Sequence, residues 1–207
     1  MNRLSFLLAR TLRDEAALQR LSAPEAALMA SLAGRTVALV GNARSLAGSR
    51  HGPAIDAAGL VIRINRAPIP AAESHGTRTD ILALATSIPA TDLARLHPAR
   101  ILWMSPKRKR LPFAVATSPG FHMPALNRFR ALADLLGAPP TTGLMLIDLL
   151  SRSPAAAVTL YGFDFFASLS LSGRRTAAQV PHDFAAERAF VESLIARDPR
   201  FALAPAA

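Results

Sequence analysis

The sequence predicts an α/β fold, a largely parallel central sheet flanked by helices and Rossmann-like in its connections. Three observations carry that expectation. Short apolar runs recur at 37–40, 60–62, 81–85 and 101–104, as expected of strands buried on both faces of a parallel sheet. Helical segments lie between them, which is the alternation of βαβ units. The first run, Val37 to Val40, ends in Gly41 and Asn42, turn chemistry without side-chain bulk near the backbone. Ligands of such sheets gather at the carboxyl ends of the strands.

Length and composition bound the rest. A chain of 207 residues is one domain by the usual prior, spanning 1–207, with ample material for a core. Hydrophobic residues make up 51%, so the chain is globular rather than disordered. There is no cysteine, hence no disulfide and no thiolate metal site. The formal net charge is +10, from 24 basic and 14 acidic residues. That balance favours anionic partners such as nucleotide sugars, phosphorylated glycolipids, an anionic membrane or nucleic acid; the plainer reading is that it aids solubility.

Taken in order, residues 1–33 read as one or two helices. Leu4, Phe6, Leu7, Leu8, Leu12 and Leu18 form an apolar stripe, with Arg3, Arg10, Arg13 and Arg20 mostly off it. The run is too short for a membrane span or a secretory signal. A basic amphipathic helix can lie on an anionic membrane, but packing against its own domain is the favoured expectation. Ser22-Ala-Pro-Glu reads as an N-cap opening a second helix.

Asn42 and Asn65 follow the first two strands. Paired amides at adjacent strand ends suit a nucleobase, a ribose or a phosphate ester, and equally suit turns. Residues 81–85 and 101–104 are further strands, with a helix near 90–96. Trp103 is read as core before it is read as a base-stacking residue. Lys107, Arg108, Lys109 and Arg110 form a cationic loop: solvated, or contacting an acidic acceptor or membrane headgroups. No interleaved aromatics support a nucleic-acid platform there, so nucleic acid is the disfavoured partner. A helix over 122–136 ends at Gly137. Thr141 or Thr142 then caps a helix whose first-turn N–H groups could hold an anion, with Gly143 next in line. No His, Asp or Glu group has metal-ligand spacing, and there is no phosphate-binding glycine loop of the nucleotide triphosphatase kind.

Three stretches resemble the sialyltransferases of the eukaryotic type, glycosyltransferase family 29. Val40-Gly41-Asn42-Ala-Arg-Ser45-Leu, Arg63-Ile-Asn65-Arg-Ala67-Pro68 and Gly76-Thr-Arg-Thr together resemble the family's large motif. Thr141-Thr142-Gly143 and the later Tyr161-Gly162-Phe163-Asp164 resemble its small motif, and His182 with Glu187 resembles its very short motif. The resemblance spans about residues 36–198. It implies the family's GT-A-like sheet variant and an inverting, metal-independent transfer, without cofactor, of a sugar acid from its CMP ester. Sialic acid is the default donor and Kdo the alternative. Gly41, Asn42, Ser45, Asn65, Thr141, Thr142 and Gly143 would hold CMP, His182 would be the base, and Glu187 would orient it or cap a helix. The family's phosphate-contacting His is missing from 165–181, where Arg174 or Arg175 could substitute. The family's disulfide is absent too, as expected of a bacterial, cytoplasmic relative at the inner face of its membrane. The acceptor would be a glycan or a glycolipid such as lipopolysaccharide, bound shallowly or held at a membrane. The alternatives are a catalytically degenerate CMP- or glycan-binding relative and a basic nucleic-acid-binding protein.

Overall fold

The computed structural model describes residues 1–165, 171 and 179–205. At its centre is a sheet of six parallel strands in the order β4-β3-β2-β1-β5-β6. The strands are β1 Thr36–Val40, β2 Leu60–Ile64, β3 Ile81–Leu84, β4 Arg100–Trp103, β5 Ala157–Tyr161 and β6 Phe201–Leu203. The largely parallel sheet expected from the sequence is parallel throughout the described residues. Its order reverses direction at β1: the chain first steps outward through β2, β3 and β4, then returns to place β5 on the other side of β1. Such a switch point opens a crevice at the carboxyl ends of the two strands that flank it.

Helices cover both faces. On one lie α3 (Glu25–Leu32), α8 (Leu126–Leu136), α9 (Thr142–Ser151) and α10 (Phe184–Arg197), which pack with Val37, Leu39, Ile62 and Leu160 in one apolar core. Alternate residues of the same strands, Ala38, Val40 and Val61, point the other way. They meet Ile55 of α4 (Gly52–Ala57). Farther along that face, Leu82, Leu84, Ile101 and Trp103 pack with α1 (Arg3–Leu12), α2 (Glu15–Gln19), α6 (Ala90–Leu96) and α7 (Phe113–Ala116). Trp103 is fully buried in that core. It is not placed to stack on a base.

Two expectations need correction. Residues 1–33 hold three helices, and the helix starting at Glu25 has Pro24 at its N-cap with no side-chain cap. Ser22 Oγ instead accepts from the Met123 N–H, a tie to a distant loop that local sequence cannot show. The N-terminal helix also does not turn its whole stripe inward. Phe6 and Ala9 are buried, but Leu4, Leu8 and Leu12 face outward.

The connection from β2 to β3 passes through α5 (Ala72–His75) and is held by buried charge. Arg63 of β2 is fully buried and donates to the carbonyls of Arg78 and His75 at 2.7 Å each. Burial lowers its pKa to about 10, which leaves it cationic near neutral pH. The Asp56 carboxylate accepts from the Thr77 N–H and hydroxyl and from the Arg78 N–H. Arg78 reaches back to the carbonyls of Asp56 and Ala58 and to Asp80. The Gly76-Thr-Arg-Thr segment is thus a structural clasp for the β3 approach.

Two buried histidines set a pH dependence. Burial is the first cause that lowers the pKa of His75 and of His122 from 6.5. The unfolded chain therefore binds more protons than the folded one as pH falls through that value. Stability from these sites is complete above about 6.5 and is lost as pH drops through it toward the lower folded values. We expect the thermal unfolding midpoint to fall on acidification through that range, with a smaller slope in a His75→Gln/His122→Gln double variant. Equal slopes for the two proteins would refute this.

Candidate active site

The switch-point crevice is a cavity of about 240 Å³ at the carboxyl edge of the sheet. The turns after β1 and β5 form its floor. Gly41 donates its N–H to the Tyr161 carbonyl at 2.7 Å, and Ala43 donates to the Gly162 carbonyl at 3.3 Å. A Cβ on Gly41 would lie 2.4 Å from the Gly162 oxygen, so the two turns approach this closely only because residue 41 has no side chain. The side wall comes from the start of α9 and from the 182–187 segment leading into α10.

The paired asparagines prove to be both turn and wall. Asn42 Nδ2 donates to the Ile64 carbonyl at the end of β2, and Asn65 Oδ1 accepts from the Ala85 N–H just beyond β3. Each amide latches its own strand end to the next one. Asn65 does so from a left-handed backbone, φ 54°, which Asn tolerates better than most residues. Both line the cavity, and the other half of each amide, Asn42 Oδ1 and Asn65 Nδ2, has no protein partner among the described residues. One acceptor and one donor therefore remain at the carboxyl edge.

Thr141, not Thr142, is the N-cap of α9: its Oγ1 accepts from the Leu144 N–H at 3.1 Å. The same hydroxyl donates to Glu187 Oε2 at 2.7 Å, and the Thr141 N–H donates to Oε1 at 2.6 Å. Glu187 thus occupies a role that neither sequence expectation described. It does not bond the His182 ring and does not cap its own helix, where Asp183 is the N-cap. It pins the N-cap of a helix 46 residues earlier in the chain. Burial, its largest influence, pushes its pKa up, with the Thr141 bonds and His182 opposing. The N–H groups of Thr142 and Gly143 have no intrahelical partner at this helix start, and both residues line the cavity. Gly143 leaves room for the Phe163 ring, which a Cβ would meet at 2.8 Å.

His182 is half-buried in the cavity wall, and its Nδ1 lies 2.7 Å from the Pro139 carbonyl oxygen. A carbonyl only accepts, so Nδ1 carries a hydrogen and Nε2 is the nitrogen that the neutral tautomer leaves free. A backbone oxygen orients this histidine, while Glu187 holds the helix start beside it.

Of the residues singled out in the sequence, Gly41, Asn42, Asn65, Thr141, Thr142, Gly143, His182 and Glu187 all line this one cavity. Ser45 does not. It bonds Asp164 at 3.0 Å and lines an adjoining cavity of about 380 Å³ that shares the 162–165 turn. Arg174 and Arg175 lie outside the described residues. Among the described lining residues there is no Lys or Arg, so the positive potential on view comes from the α9 start. Phe163 and Pro139 were missed as site residues. The first follows β5 at the carboxyl edge, the same positional rule that singled out Asn42. The second acts through a main-chain oxygen, which leaves no trace in a sequence.

The Glu187–Thr141 contact is open to test. Glu187→Ala leaves the Thr141 N–H and hydroxyl unpaired, which should cost about 1–3 kcal/mol of stability by denaturant unfolding. In a double-mutant cycle with Thr141→Ala the two losses should be strongly non-additive. Additive losses would show that the contact is unimportant.

Residues 9–107 match the family model described as glycosyltransferase family 29 (sialyltransferase). No curated protein matches the chain. Among solved structures, a mammalian sialyltransferase superposes with a TM-score of 0.62 at 19% identity, over 84% of this chain and 70% of that one. The sialyltransferase CstII from Campylobacter jejuni, solved with cytidine-5'-monophosphate, gives 0.56 at 13% identity, over 83% and 80%. At such identities the likeness is one of fold. The family match stops at Lys107, short of Thr141, Phe163 and His182. What joins those residues to the matched region is geometry, since they enclose the same cavity as Asn42 and Asn65. The family-29 sialyltransferase model thus matches just under half of the chain, and the fold of solved sialyltransferases extends over most of its length.

Proposed function

We propose that the protein transfers a sugar acid, sialic acid or a Kdo-like relative, from its CMP ester to a hydroxyl of a glycan or glycolipid. The observation that carries this reading is His182, whose Nδ1 is held by the Pro139 carbonyl so that Nε2 is the nitrogen left for a proton, in the cavity that also holds the two strand-end amides and the free N–H groups of Thr142 and Gly143. A structure of the Campylobacter relative with cytidine-5'-monophosphate supports the choice of nucleotide.

The chemistry follows from these groups. The α9 N–H groups would take the donor phosphate, whose charge the helix start favours. Asn42 Oδ1 and Asn65 Nδ2 would bond the nucleoside. His182 Nε2 would accept the proton of the acceptor hydroxyl as that oxygen attacks the anomeric carbon. The bond from that carbon to the phosphate oxygen breaks, and CMP departs with the electron pair. The carboxylates at the cavity are already engaged, Glu187 by Thr141 and Asp164 by Ser45. This supports a single displacement without a carboxylate nucleophile, hence inversion at the anomeric centre. No step calls for a metal ion, and among the described residues no group of three or more His, Asp or Glu is arranged to hold one.

His182→Ala should lower the rate of acceptor-dependent CMP release by about 10²–10⁴-fold while leaving CMP affinity within a few-fold of wild type. Asn42→Ala and Asn65→Ala should instead weaken CMP binding. Turnover should persist in EDTA, and NMR of the product should show the inverted anomer. A His182→Ala enzyme with undiminished transfer would sink the assignment of the base. CMP binding without turnover of either CMP-sialic acid or CMP-Kdo would favour a binding-only relative.

A further inference from the structure

Helix α1 is apolar on two opposite sides, and the protein uses one of them. Asn2 opens it by accepting from the Ser5 N–H at 2.8 Å, so its helical phase is fixed from the first turn. Phe6 and Ala9 face the domain, with the Phe6 ring 5.2 Å from that of Phe113. Leu4, Leu8 and Leu12 are spaced four residues apart and share the other face, where they are 78%, 60% and 69% exposed. Met1 and Leu7 are partly exposed beside them. Three leucines in a row toward water are costly without a partner and mark an interaction surface.

The charge beside this row says what the partner is. Arg13 directly follows Leu12 in a left-handed conformation, φ 58°. It lines an open cavity of about 710 Å³ together with Lys107, Lys109, Arg110 and Arg130. All five are exposed, and none has an ion-pair partner among the described residues. The one carboxylate in that cavity, Glu15, is held by Arg108 at 2.8 Å and also feels Arg130, so a single, already paired carboxylate stands against five cations. An apolar helix face joined to unpaired cations is complementary to a surface with an acyl layer beneath anionic headgroups. A protein partner of mixed polarity, or a second copy carrying the same positive charge, fits less well.

We propose that this face docks on an anionic lipid bilayer, with Leu4, Leu8 and Leu12 in the headgroup–acyl boundary and Arg13, Lys107, Lys109, Arg110 and Arg130 against lipid phosphates. Among the described residues no helix is long and apolar enough to cross a membrane, so the contact is peripheral. The 107–110 loop follows β4 at the carboxyl end of the sheet, the same edge that carries the active-site cavity. Docking would therefore turn that edge toward the membrane, where a glycolipid acceptor resides. This last consequence rests on the proposed transferase function; the docking itself does not.

The test is sedimentation of the full chain with vesicles of phosphatidylcholine alone or mixed with phosphatidylglycerol, in the absence of any CMP compound. Wild type should bind the mixed vesicles, bind phosphatidylcholine poorly, and be released by added salt. Leu4→Ser/Leu8→Ser/Leu12→Ser and Lys107→Gln/Lys109→Gln/Arg110→Gln should each lose at least about tenfold in partition. Both sets are exposed, so unfolding midpoints should stay near wild type, and CMP binding serves as a second control for folding. Failure of wild type to bind the mixed vesicles would overturn the proposal, as would undiminished binding by both variants. A wild-type dimer that ignores vesicles and is split by the leucine substitutions would reassign the face to a second copy. Because CMP is absent, a negative result leaves the transferase reading standing, and a positive one does not depend on it.

Discussion

Everything at the active site depends on how closely two β-turns approach. β1 and β5 lie side by side, but they are separated by 116 residues of chain between Val40 and Ala157. Their carboxyl ends meet because Gly41 offers only a backbone to the Gly162 carbonyl. A methyl group there would force the turns apart. The spacing sets the crevice floor and fixes where Asn42 stands relative to Phe163, against whose ring the α9 start packs at Gly143. A parallel sheet with a switch point makes a crevice possible; this contact determines its width.

The residues shared with the family's motifs divide into two kinds once their bonds are known. Arg63, Thr77 and Arg78 lie at or near the β2–β3 connection and are engaged by Asp56 and by main-chain carbonyls. They position Asn65 by fixing the length and path of the loop between the strands. Asn42 and Asn65 serve on both sides of this division, one half of each amide holding strand ends and the other half facing the cavity. A single side chain that builds the site and also lines it is difficult to replace. Asp preserves an acceptor at either position but removes the donor that Asn42 gives to Ile64, and it adds negative charge to the cavity wall.

What the sequence revealed follows the range of the interactions involved. The strands were legible because burial on both faces writes a continuous apolar run, as at Val37 to Val40 and Ile81 to Leu84. The helix over 90–96 and the end of α8 at Gly137, φ 68°, were legible because caps and breakers are local. The turn at Ser22 was misread because its hydroxyl pairs with Met123, across about half the chain. Glu187 was misread for the same reason, since its partner Thr141 lies on another helix. The α1 stripe was visible as apolar, but periodicity cannot say which of two apolar faces the domain will cover. Phe6 won that competition because an aromatic ring fills the space beside Phe113.

The net charge of +10 suggested a protein that meets an anion, and the structure separates its cations by task. Arg63 and Arg78 brace a loop; Arg108 neutralises Glu15; Arg200 closes on Asp198 and on carbonyls of the 151–155 turn. Lysine and arginine are missing from the described wall of the cavity. The unpaired N–H groups at the α9 start supply a weaker and more directional field there. One group of cations without ion pairs among the described residues lies around the 107–110 loop, beside the exposed leucines and along the same edge of the sheet. That separation explains how a strongly basic protein can have an active-site wall whose described residues include no Lys or Arg.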